Sequence, residues 1–112
     1  SMAEVHDCFS ITDAIVMEDL MFSPRGRVKE DIDAGTFLRT GQLPVQPDGG
    51  LKCFGHPVGA TGVRMIYECY LQLRGQAGER QIKNPRLGLT HNQGGQPPSA
   101  AVAVSIVGRE KG

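Results

Sequence analysis

Tryptophan is absent, and the chain has only two tyrosines and four phenylalanines in 112 residues. So few aromatics suit a small site enclosed by tight turns better than a large binding groove. Charge of one sign is also missing: 12 basic residues balance 12 acidic ones, and the pI is about 6.8. That balance argues against nucleic acid or an anionic membrane surface as the main partner. No apolar run reaches the roughly 18 residues of a membrane span, and no basic-then-apolar signal opens the chain. Three cysteines stand at irregular spacing with no CxxC pair, which argues against a disulfide framework or a zinc site, and no other metal site is read. Reduced thiols and a cytoplasmic location are the economical expectation. The length suits one domain over residues 1–112, with Ser1-Met2 as a tag remnant and Arg109–Gly112 as a frayed tail.

Glycine, by contrast, is abundant, and the stretch Gly50–Gly62 organises the rest. Its centre is Gly55-His56-Pro57, followed by Gly59 and Gly62. Pro57 fixes its own φ and biases His56 toward extended geometry, so the imidazole sits on a stiff turn. The flanking glycines let a ligand or another backbone approach closely. A helix following the turn aims its free N–H groups and positive dipole end back at it.

Upstream, Glu4–Phe9 reads as the end of a short strand. Ser10 opens a helix, with Asp13 in an approximate capping box. Ile11–Phe22 is apolar on nearly all sides and predicts a helix buried on more than one face, ended by Ser23-Pro24-Arg25-Gly26. Arg27–Thr40 predicts a short helix or ordered loop. Leu43–Gly50 is extended and then turns at Asp48-Gly49-Gly50. Val63, Ile66, Tyr67, Tyr70 and Leu71 mark the buried stripe of the next helix, stopped by Gly75 at a C′ position. Gln76–Pro85 is a polar connector and Arg86–Thr90 a short strand. His91–Pro98 reads as a glycine- and proline-rich loop, and Ala100–Val107 as a central strand buried on both faces. The order β-α-β-α-β-β implies an α/β fold with helices packed on a mixed sheet.

All three histidines fall in loops expected after strands, where ligands gather in open α/β folds. The clusters are His6-Asp7-Cys8, Gly55-His56-Pro57 and His91-Asn92-Gln93-Gly94-Gly95. A thiol beside imidazoles can act as nucleophile or as acid/base. Cys8 also reads as a small buried hydrophobe at a strand end, and each histidine as a structural turn residue. Cys53 and Cys69 read as core.

The ordered set HDCF (6–9), GGLKxxGHPxGATG (49–62), LQLRGQAGERQ (71–81) and LTHNxGG (89–95) resembles the C-terminal part of thiolases, over residues 3 to about 107. It is most similar to the sterol-carrier-protein-linked and archaeal acetyl-CoA acetyltransferase type, which carries HDCF. The resemblance implies a duplicated βαβαβαββ fold and chemistry on coenzyme A thioesters as substrates, with no covalently bound cofactor. It implies that His56 activates a nucleophilic cysteine of the N-terminal half and contributes to an oxyanion hole. It implies Cys8 as the acid/base at the substrate α-carbon and His6 as holder of a water completing that hole. Such roles suit an enolate beside a thioester, which needs fixed donors and a matched acid/base.

Other thiolases place the acid/base cysteine in a late CxGxG motif; here that place reads His91-Asn92-Gln93-Gly94-Gly95, whose glycine N–H groups could still line the site. Gln96-Pro97-Pro98-Ser99 departs from the second glycine pair. The N-terminal half with its nucleophile is missing, as are the strand and helix that open the C-terminal half. The expectations are therefore an inactive isolated chain, an uncovered sheet edge, and self-association or a partner supplying the lost layer. Two alternatives remain: a thiolase-like aldolase or synthase on CoA esters, which retention of Cys8 and His56 disfavours, and a non-catalytic interaction subunit. A peroxisomal relative commonly carries a C-terminal address, and Arg109–Gly112 is not one.

Overall fold

The computed structural model describes residues 1–96 and 98–109; Pro97 and residues 110–112 of the expected tail lie outside them. Three strands form one mixed sheet in the order β1-β2-β3: β1 (Met2–Glu4), β2 (Leu87–Gly94) and β3 (Ala101–Gly108). β1 runs parallel to β2, pairing Ala3 with Leu89, and β2 runs antiparallel to β3, pairing Thr90 with Ser105. Val45, in the stretch expected to be extended before the turn at Asp48-Gly49-Gly50, adds a single parallel bridge to Ala3 on the far side of β1.

Helices cover both faces. On one, α1 (Ser10–Asp19) and α2 (Val28–Asp33) close a core of Ala3, Val5, Val16, Met17 and Val45. On the other, α4 (Thr61–Leu73) packs Cys69 against Met2 and Ile82. A side chain at Gly88 would meet the Cys69 sulfur at 2.7 Å, so only glycine lets α4 lie this close to β2. The short α3 (Gly50–Phe54), not anticipated from the sequence, leads into the histidine turn. Gly75 takes φ +70° with its N–H on Gln72, and Gln76 donates to Leu71 at 2.8 Å, so α4 ends in the expected glycine stop.

Several expectations are corrected. Phe9, in extended geometry, is the N-cap of α1, its carbonyl accepting the Asp13 N–H at 3.0 Å; Ser10 is the first helical residue and makes no capping bond. The helix ends at Asp19 and buries only Val16 and Met17, leaving Ile11 and Ile15 exposed. On α4 the buried face is Met65, Glu68, Cys69, Gln72 and Leu73, whereas Val63, Ile66, Tyr67 and Tyr70 are exposed. The polar residues tolerate burial because each is bonded. Gln72 Nε2 donates to Glu68 and to the Arg80 carbonyl, both at 2.9 Å, and its Oε1 accepts the Ile82 N–H. The Arg80 guanidinium closes the network on Glu68 at 2.9 Å.

β2 runs on through Gly94, so His91–Gly94 is strand where a loop was expected. β3 lies at the sheet edge with Val102, Val104 and Ile106 exposed, where a buried central strand was expected. Cys69 is buried as read, but Cys53 is exposed.

Candidate active site

The segment leaving β1 is held on both sides. Gln46 clamps the Val5 peptide, donating to its carbonyl at 3.0 Å while accepting its N–H at 3.4 Å. Next along the chain, the Asp7 carboxylate accepts the Leu51 N–H of α3. Gly50 sits at φ +61° beneath that carboxylate, and a Cβ there would collide with it. His6 and Cys8 are thereby fixed relative to the helix that feeds the histidine turn.

That turn reverses at Gly55 (φ +71°), passes His56-Pro57, and enters α4 with the Ala60 and Thr61 N–H groups both on the Pro57 carbonyl. His56 Nδ1 lies 2.8 Å from the Thr61 hydroxyl. The His6 and His56 rings meet edge to face, centroids 4.9 Å apart. His6 is only 5% exposed, and its Nδ1 has no hydrogen-bond partner among the described residues. Burial, and then the neighbouring His56 and His91, hold the His6 pKa below 6.5, against the opposing pull of Asp7.

A cleft of about 1030 Å³ opens over these groups, lined by His6, Cys8, His56, Asn92, Gly94 and Gly95 among others. Asn92 lies on the α4 side, close to Gly62. His91 is the exception among the residues singled out from the sequence. It is buried on the α1 side of the sheet and lines a separate cavity of about 330 Å³ with Asp19 and Gln93, its pKa lowered mainly by burial. The alternation of a strand puts His91 and Asn92 on opposite faces; read as loop residues, they had no reason to part.

Behind the cleft lies a charge cluster that sequence reading missed. Arg64 of α4 pairs with Asp48 and with Glu4, the latter at 3.1 Å, and its guanidinium sits 5.1 Å from the Phe54 ring. Glu4 is 0% exposed, two residues before His6. Burial first and Asp48 next push its carboxyl up to about 9, against the opposing pull of Arg64, so folding favours the protonated form of Glu4. No motif signals this pairing, because its members are far apart in sequence. Among the described residues, no three His, Cys, Asp or Glu side chains converge as a metal site.

A thiol, two imidazoles and strand-end backbone around one open cleft can exchange protons and offer hydrogen bonds to a ligand. Comparison with known proteins agrees on the family. The family model described as thiolase C-terminal domain-like matches residues 1–107. An acetyl-CoA acetyltransferase of Methanothermobacter thermautotrophicus is 46% identical over 103 residues, covering 92% of this chain and 27% of that protein. Sterol carrier protein 2 of Gallus gallus is 43% identical over 91 residues, covering 81% of this chain and 17% of its own length. A solved structure titled Ltp2-ChsH2(DUF35) aldolase superposes with a TM-score of 0.73 over 96% of this chain and 26% of that one, at 22% identity, a likeness of fold. The chain thus spans about a quarter or less of these relatives. It belongs to the thiolase family, as a thiolase C-terminal domain-like chain.

Proposed function

We propose that this chain supplies the C-terminal catalytic wall of an acyl-CoA acyltransferase that makes or cleaves a 3-ketoacyl-CoA. His56 takes the proton of a nucleophilic cysteine carried outside these residues, and then donates to the thioester oxygen. Cys8 exchanges the α-proton of the second acyl-CoA. His6, buried and with a ring nitrogen that has no hydrogen-bond partner among the described residues, holds a water against the same oxygen. Asn92, Gly94 and Gly95 border the substrate path. Coenzyme A thioesters are substrates here, and the 112 residues alone are inactive.

The observation that supports this reading is convergence: His6, Cys8 and His56 line one cleft although 50 positions separate the first from the last. The test joins this chain to the polypeptide bearing the nucleophile and follows acylation by intact mass, then condensation. His56→Ala abolishes the acyl-enzyme. Cys8→Ala leaves acylation intact and lowers condensation by about 10²–10⁴-fold, the usual reach of general acid–base catalysis. Normal condensation by Cys8→Ala removes Cys8 from the mechanism. Absence of any acyl-CoA binding in the joined protein favours a non-catalytic interaction subunit.

A further inference from the structure

We propose that Thr61 is a positioning residue that locks His56 in its Nδ1–H tautomer, leaving Nε2 as the basic nitrogen of the ring. Thr61 is 2% exposed, so solvent offers its hydroxyl almost nothing. Its Oγ1 lies 3.3 Å from the Pro57 carbonyl and 2.8 Å from His56 Nδ1. The hydroxyl lies one turn above the Pro57 carbonyl, in the place from which a helical threonine donates to the carbonyl four residues back, and we assign its single proton to that bond. What remains on Oγ1 is lone pairs, and the contact with His56 is satisfied only if Nδ1 carries the hydrogen. The neutral ring then holds its free lone pair on Nε2.

Thr61 is the first residue of α4, and its N–H also bonds the Pro57 carbonyl, at 3.0 Å. The lock is therefore built on the rigid end of a 13-residue helix. When Nε2 accepts a proton, the Nδ1–H bond to Thr61 is kept, so the ring takes up and returns the proton without turning. A functional consequence rests on the reading of His56 as a base; the tautomer itself does not.

The test is long-range ¹H–¹⁵N NMR of the histidine-labelled chain at mildly alkaline pH, with the His56 signals assigned by their loss in His56→Asn. The native chain shows a protonated Nδ1 and an unprotonated Nε2. Thr61→Ser retains that pattern, and Thr61→Val moves it to the Nε2–H form or to an average of the two. A native His56 protonated on Nε2 overturns the proposal, as does a Thr61→Val spectrum identical to the native one. Should Thr61→Val fail to fold, the native and Thr61→Ser spectra still decide. A locked Nδ1–H tautomer in a protein that forms no acyl-enzyme would sink the catalytic reading while leaving the lock intact.

Discussion

The Asp7 carboxylate and the Leu51 N–H, 44 residues apart, are 3.1 Å from one another, and this bond ties the HDCF segment to the helix before the histidine turn. Asp7→Ala leaves that N–H unsatisfied in a half-buried setting. The expected cost is about 1–2 kcal/mol, read as a lower urea midpoint at unchanged slope. Gly50→Ala destabilises further, since it combines left-handed backbone with a clash on the same carboxylate. An unchanged midpoint in Asp7→Ala would mean that water already replaces the bond.

What the sequence told and withheld follows from this pair. Motif order led to the right family, and the stiff turn at Gly55-His56-Pro57 was legible because proline and glycine act locally. The Asp7–Leu51 bond and the Glu4–Arg64–Asp48 cluster were illegible, being long-range pairings of ordinary residues. The α4 stripe misled for another reason. Periodicity reports which face is apolar, whereas burial in this chain goes to the face where Glu68 and Gln72 find partners. His91 was misplaced because the strand continues through residues that usually make turns.

Stability should depend on pH from both sides. Glu4 binds its proton more tightly folded than unfolded, so its contribution is complete below about 4.5 and declines as pH rises toward about 9. Glu4→Gln, which mimics the protonated carboxyl, should flatten that decline in denaturation midpoints measured across the range. His6 and His91 shift the other way: their neutral forms are favoured on folding, so their contribution is present above about 6.5 and lost as pH falls. A Glu4→Gln profile that parallels the native one would mean that Glu4 is ionised in the fold.

Thiol reactivity separates the three cysteines. Burial, with Glu4 and Glu68 nearby, pushes the Cys69 thiol up to about 12, so it should resist iodoacetamide until the chain unfolds. Cys53 is exposed and should be alkylated in the native state, with Cys8, half-buried in the cleft, reacting more slowly. Peptide mass mapping after timed labelling reads the order directly. Early modification of Cys69 would show that α4 does not stay packed on Met2 and Gly88.

The apolar surface predicts association. Tyr67, 59% exposed on α4, and Ile106, 66% exposed on β3, belong to two outward-facing sets of large side chains, and β3 is the open edge of the sheet. Contiguous apolar surface and an unpaired strand edge are both normally covered in stable proteins. Light scattering across a dilution series should therefore give a dimer or larger species for the isolated chain. Ile66→Lys and Val104→Lys, placed on exposed positions, should shift it toward monomer with little loss of folded stability, since neither side chain fills the core. Loss of association in the first variant alone would assign the contact to α4, and in the second alone to β3. A monomer at every concentration would mean that the exposed faces are too small or too dispersed to drive pairing, and that the covering layer must come from a different polypeptide.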